Sequence, residues 1–445
     1  MLDDTKTLRG IVVTWTLRFN DVLDADKLHS SLSELLEIGD WRKMGGRMRM
    51  NESGALEIHA PRSFTAERPA VAYSQETLAV NIEKHELARA LPKATDNDFI
   101  YHDVPQLSLH ITLFNDATLV PLSWPHTLMD VMGQQGLLRG WSMVLAGRVS
   151  DVPPVLGARE DAIRAAVDAP VEAKENFKVG QKALKGCGFA AFGLRFAWDM
   201  MRDPVPESRT IFLPSRTVAE LRRQAENDLV LGADDEKPFV NNGDLPAAWV
   251  ARALTSSLPQ PRPVTVLHAL NARFRLSSLV NSAGVYIQNM AVAASAFLPE
   301  DSHTKLLGHV ALENRQHLME QATEGQVLAF ARELQQNTKT GGDPNILCGP
   351  SDAVLLPFTN WERANIFNAK DFSPAVVHAD RGGNYWLNGI LLPSTWLKIR
   401  EEIERMRGAY HDQLVSQAAK KIVRARMMAE KFLQHLHLVS ASAIL

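Results

Sequence analysis

Residues 122–133 read LSWPHTLMDVMG and set His126 and Asp130 four positions apart. An imidazole titrates with a pKa of about 6.5, so near neutral pH it can take the proton of a hydroxyl or amine as that group attacks. The spacing alone is weak: with 14 histidines in the chain, roughly 0.8 such His-x-x-x-Asp pairs are expected by chance. Other candidates are weaker. His309 and Glu313 lie on a polar helical stretch and read as surface. Cys187 and Cys348 lack a local base or ligand spacing and read as spectator thiols. The HLHL run at 435–438 has no third ligand nearby, so no metal site is expected.

The elements that would position His126 are legible. Residues 10–19, GIVVTWTLRF, read as a strand, and residues 24–38 carry Leu28, Leu32, Leu35 and Leu36 at helical spacing. RMRMNESGALEIHA reads as a hairpin turning at 51–54. In LSLHITLF, Leu107, Leu109, Ile111 and Leu113 alternate with polar residues, which predicts a half-buried strand with His110 on the opposite face. TLVPLSW pairs back on it and delivers His126 to a loop, and MGQQGLLRGWSMVLAGR continues as a helix. A side chain on such a loop is aimed by the sheet yet open to substrate.

From 151 to 206 the pattern weakens and predicts a crossover linker between an N-terminal domain (1–150) and a C-terminal one (207–445). The second half restarts with the strand TIFLP, Ser215 as a helix cap and a helix over 216–227. There follow an acidic loop at 232–237, a helix at 244–256, the strand PVTVLHALN and the apolar segment GVYIQNMAVAASAF. The last 45 residues read as largely helical with a basic solvated face.

Composition narrows the function classes. The chain has 445 residues, 45% hydrophobic and 22% charged, with a formal charge of -3. That is enough for two packed cores and offers no attraction to phosphate backbones or anionic lipid, so neither nucleic acid nor membrane is expected as a partner. Two cysteines are too few for a disulfide framework. No basic-then-apolar leader or membrane-length apolar run is present, and the C-terminal SAIL is no peroxisomal address, so a cytoplasmic protein is expected. No heptad run appears, which predicts a monomer.

Several stretches together resemble one family. LHSSLSELLEI, GGRMRMNESGALEIHA, LSLHITLFNDATLV and SWPHTLMDVMG running into RGWSMVLAGR are similar to the first half of the BAHD superfamily of CoA-dependent acyltransferases, in the same order and spacing. NNGDLPAAWVARAL, HALNARFRL and LLPFTNWERANIFNAKDFSPA resemble its second half. The likeness spans roughly residues 2–395, with the fungal branch nearest. Two motifs depart: Val131 stands where glycine is usual, and the Asp-Phe-Gly-Trp-Gly motif appears only as Asp371-Phe372-Ser373-Pro374.

The resemblance implies an α/β fold of two chloramphenicol-acetyltransferase-like domains, each a mixed β-sheet flanked by helices, with an active-site channel between them. It implies acyl transfer, with acetyl the commonest group, from acyl-CoA to a hydroxyl or amine of a specialised metabolite, acyl-CoA being a co-substrate with no permanently bound cofactor. In that role His126 takes the acceptor's proton and returns one to the CoA thiolate, so no covalent intermediate is needed. Asp130 holds the loop through an arginine, for which Arg273 is the candidate, and Asp371 is a structural anchor. Trp361 and Thr359 are the candidate oxyanion donors. The altered Asp371 segment keeps a rival open, a CoA-independent cyclisation, elimination or rearrangement on the same scaffold.

Overall fold

The structure is a computed structural model that describes residues 2–84, 99–100, 102–170, 174–202, 205–229, 238–280, 282–339, 346–366 and 385–406. The acidic loop at 232–237, Asp371 with its segment, and the chain beyond 406 including HLHL lie outside the described residues. The architecture is mixed α/β, as expected, and the chain divides into two compact units. The first comprises 1–193, 264–298 and 313–382, and the second 194–263, 299–312 and 383–445. These units interleave along the chain.

In the first unit, strands β1 (Val12–Phe19), β4 (Val71–Thr77), β5 (Leu107–Leu113) and β6 (Thr118–Pro125) form a sheet in the order β1-β6-β5-β4. β6 runs antiparallel to both neighbours, and β4 is parallel to β5. β6 is buried along its whole length, which a polar-alternating pattern would not produce; it lies between two partners and needs no solvent face. β2 (Arg47–Met50) and β3 (Leu56–His59) form the predicted hairpin, closed by the Asn51 side chain and by Gly54 at φ 78°.

The helix Ala25–Leu35 is capped by Asp24, whose carboxylate accepts from Lys27 N–H. It buries Leu28, Leu32 and Leu35 together with Leu36 against the sheet and the helix Val131–Leu145. Each fully buried leucine contributes about 2 kcal/mol. Trp141 spans that contact, its indole N–H donating to Ser31 Oγ at 3.0 Å. The same unit holds a second sheet, β11-β9-β12, of β9 (Val264–Asn271), β11 (Ala291–Leu298) and β12 (Val354–Phe358), and the short parallel pair β7 (Val155–Leu156) and β10 (Val285–Tyr286).

In the second unit β8 (Glu207–Leu213) pairs antiparallel with β13 (Tyr385–Leu391), and the helix Asp244–Ser257 is buried along most of its length. Ser215 is the first residue of the helix Ser215–Asp228 and not its cap. Pro214 takes the N-cap position, where its fixed φ suits the entry but its side chain can accept no hydrogen bond. The region 151–206, read as a crossover, contains the helices Ala162–Asp168 and Gly186–Arg202.

Candidate active site

β6 ends at Pro125, and His126 begins a turn closed by Leu128 N–H onto the Pro125 carbonyl at 2.9 Å. The turn is pinned at both faces of the His126 peptide. Its N–H donates to the Ile11 carbonyl at 2.8 Å, and its carbonyl accepts from Asn289 Nδ2 at 2.8 Å. The ring is half-buried. Its Nδ1 is enclosed without a hydrogen-bond partner in the chain, which leaves Nε2 as the nitrogen with access. An imidazole so placed can exchange a proton through one nitrogen only.

Asp130 is engaged elsewhere. It is the N-cap of the helix Val131–Leu145, its Oδ1 accepting from Met132 and Gly133 N–H, each at 3.0 Å. Arg273 Nη1 donates to Oδ2 at 2.8 Å and Nη2 to Oδ1 at 3.1 Å, and Met290 N–H adds to Oδ2 at 2.9 Å. These contacts use all the acceptor capacity a carboxylate has, so none is left to orient an imidazole. Arg273 also donates to the carbonyls of Tyr286 and Gln288. Asp130 and Arg273 are 9% and 8% exposed, so charge, fork geometry and backbone acceptors must together offset their desolvation.

Gly133 explains why this helix start accepts no side chain there. A Cβ at Gly133 would lie 2.1 Å from the Ile287 carbonyl oxygen, so helix and strap (286–290) touch backbone to backbone. Val131, where the family pattern has glycine, sits half-buried against the hydrophobic core instead.

Sequence reasoning missed the third anchor. Asp3 Oδ1 accepts from the Asn289 N–H at 2.6 Å and from Nδ2 at 2.7 Å, fixing the amide that holds the His126 carbonyl. Burial raises the Asp3 carboxyl pKa, and the nearby Lys43 charge and the Asn289 hydrogen bonds oppose the rise. The QNM within GVYIQNMAVAASAF was the available signal, polar residues breaking an apolar run. Beside the turn, Thr127, Asp3, Lys43, Glu57, Arg159 and Gln288 line part of a cavity of about 740 Å³, a size suited to a small molecule.

Thr359 and Trp361 follow β12 on an exposed segment. Trp361 is 47% exposed and tilts against Trp15 of β1 with ring centroids 5.2 Å apart. Neither residue is hydrogen-bonded to His126. Of the residues set aside, His309 is on the exposed face of the helix Leu307–Gln321, Cys187 is exposed, and burial pushes the Cys348 thiol up to about 11.

The loop-borne His126 and the clamped Asp130 lie among mixed sheets flanked by helices, and this fold matches solved structures. TRI101 of F. sporotrichioides, complexed with coenzyme A and T-2, superposes with a TM-score of 0.63 over 89% of this chain and 95% of that one at 14% identity. Vinorine synthase gives 0.56 over 89% and 91%, also at 14% identity. In sequence, the O-acetyltransferase PaAT-2 of Phomopsis amygdali is 33% identical over 91% of this chain and 96% of its own length. The acetyltransferase BOT5 of Botryotinia fuckeliana is 32% identical over 86% and 76%. No family model matches the chain. The chain belongs to the BAHD superfamily of CoA-dependent acyltransferases, in a group of fungal relatives, and is an enzyme that acylates a metabolite from acyl-CoA. The rival reading of a CoA-independent cyclase or lyase is not favoured by these relatives.

Proposed function

We propose that His126 is the general base of this acyl transfer, acting through Nε2 on a hydroxyl or amine of a specialised metabolite, with acetyl-CoA as donor. The observation that carries the reading is the division of labour in the turn: His126 has one accessible nitrogen, while Asp130 is wholly engaged with Arg273 and the helix start. The nitrogen lone pair removes the acceptor's proton as its oxygen or nitrogen attacks the thioester carbonyl. Collapse of the tetrahedral intermediate expels the CoA thiolate, which recovers that proton from the imidazolium. Atoms balance without a covalent enzyme intermediate.

Trp361 and Thr359 remain the proposed donors to the oxyanion, and Arg273 and Asp371 the proposed structural supports. The relative PaAT-2, an O-acetyltransferase, favours an acetyl donor and a hydroxyl acceptor. The neighbour solved with coenzyme A favours a co-substrate that comes and goes rather than a resident cofactor. The enzyme acts as a monomer and takes no nucleic-acid partner.

The test is mass spectrometry of acetyl-CoA incubated with a panel of fungal metabolites, run in parallel with His126→Ala. The variant is expected to stay folded and to bind CoA, while turnover falls by about 10² to 10⁴. A folded variant with wild-type turnover would exclude His126 as the base.

A further inference from the structure

The helix Gly186–Arg202, GCGFAAFGLRFAWDMMR, has no buried residue along its 17 positions. At 3.6 residues per turn, Arg195, Asp199 and Arg202 fall on one narrow stripe, and every other position is apolar or small. The Asp199 carboxylate pairs with Arg262 Nη1 at 2.7 Å, and the Arg262 side chain is largely covered. Asp199 therefore ties the helix to the protein body, Arg195 and Arg202 beside it stay exposed, and the broad apolar arc is exposed as well, unlike the apolar face of an ordinary surface helix. Phe189, Leu194, Phe196, Trp198, Met200 and Met201 are all exposed, Leu194 and Met201 to 75% and 76%. Isolated exposed apolar residues need no explanation, but six on one helix form a patch that water disfavours.

The charge around this helix differs from that of the chain. Residues 178–202 carry Lys178, Lys182, Lys185, Arg195 and Arg202 against Asp199 alone, although the formal charge of the whole protein is -3. Among the described residues no helix is long and apolar enough to cross a membrane. An apolar arc rich in Phe, Trp, Leu and Met, with basic residues at its start and along its polar edge, has the chemistry of a helix lying in a bilayer surface. An arc this broad also suits lipid, which deforms around a helix, better than a protein groove, which takes a single stripe.

We propose that the helix Gly186–Arg202 docks the enzyme on an anionic lipid bilayer, its apolar arc in the headgroup and acyl-chain boundary and its basic residues at the headgroups. This site is independent of the acyl-transfer reading. It revises the expectation of no membrane partner, which rested on net charge and on the lack of a spanning run; a surface helix requires neither.

The full-length protein is to be sedimented with vesicles of phosphatidylcholine, with and without phosphatidylserine. Binding is expected to the phosphatidylserine vesicles and to weaken with salt, since charge assists it. The triple variant Leu194→Ser, Trp198→Ser, Met201→Ser should lower partitioning by about 100-fold with an unchanged melting curve, because these side chains pack against little. Lys178→Glu with Lys185→Glu and Arg195→Glu should abolish the preference for phosphatidylserine. Val22→Ser, an exposed apolar residue elsewhere, should change nothing. Absence of vesicle binding, or binding unaffected by the triple variant, overturns the proposal. Self-association in light scattering that the triple variant disperses, without vesicle binding, overturns it in favour of a second copy of this chain.

Discussion

Arg273 grips both oxygens of Asp130, at 2.8 and 3.1 Å, across 143 residues of sequence. The same carboxylate caps the helix that follows the candidate base. One side chain thus joins the helix after β6 to the strap 286–290, whose Asn289 holds the His126 carbonyl.

Removing one partner of a buried ion pair leaves an uncompensated charge. Arg273→Ala is expected to cost about 3–5 kcal/mol of stability, and Asp130→Asn somewhat less because an amide can still cap the helix. Acyl transfer should fall in both. The double variant should lose less than the sum, measured by denaturant titration; additive losses would contradict a direct coupling.

Asn289→Ala removes the donor that holds the His126 carbonyl, and Asp3→Ala frees the Asn289 amide that makes the bond. A small displacement of a base is costly, so kcat should drop about tenfold in Asn289→Ala, and by a smaller factor in Asp3→Ala, with KM for acetyl-CoA unchanged. Steady-state kinetics normalised to folded enzyme make the distinction. Loss of thermal stability with normal kcat per folded molecule would assign Asn289 to the scaffold alone.

Trp361→Phe keeps a ring against Trp15 and deletes only the indole N–H. If that N–H stabilises the oxyanion, kcat should fall about 10² to 10³-fold. Thr359→Val should cost less. A Trp361→Phe enzyme within twofold of wild type would remove Trp361 from the mechanism and leave it as a packing residue on β1.

His268 on β9 donates its Nε2–H to Asn314 Oδ1 at 2.8 Å, and burial pushes its pKa down to about 4. The folded-state value lies below the unfolded one of about 6.5, so the unfolded chain binds the extra proton first as pH falls. Stability is expected to drop through the window from about pH 6.5 to 4, by about 3 kcal/mol at the lower end. Melting curves of wild type and His268→Gln across that range check it: the variant should have the shallower slope, and parallel slopes would exclude this histidine.

Much of the scaffold around His126 is written locally. The alternation in LSLHITLF, the leucines of the first long helix, its Asp24 cap and the Asn51–Gly54 turn are short-range patterns, and short-range sterics and hydrogen bonds decide them. Arg273 emerged as a candidate partner for Asp130 only through the family resemblance, since nothing local links residues so far apart. Asp3 and Asn289 escaped for the same reason, because their pairing exists only once the N-terminal segment and the strap are folded together. The helix Gly186–Arg202 hid for another cause: its apolar residues face outward, so its pattern carries no core-facing signature. Ser215 shows the limit of cap rules, its neighbour Pro214 taking the position by fixed φ.

The clamp on Asp130 has a consequence for the order in which the chain acquires its competence. The acceptors and donors that hold the turn, Ile11, Arg273, Asn289 and Met290, are spread from the first strand to past the middle of the sequence. During synthesis the leading segment leaves the ribosome and can pair β1 with β6 before Arg273 exists. Until then the Asp130 carboxylate lacks its ionic partner and the His126 carbonyl its amide donor. A nascent or truncated chain ending near residue 150 thus carries the whole LSWPHTLMDVMG stretch and its Ile11 contact, yet lacks the Arg273, Asn289 and Met290 contacts that complete the hold on it.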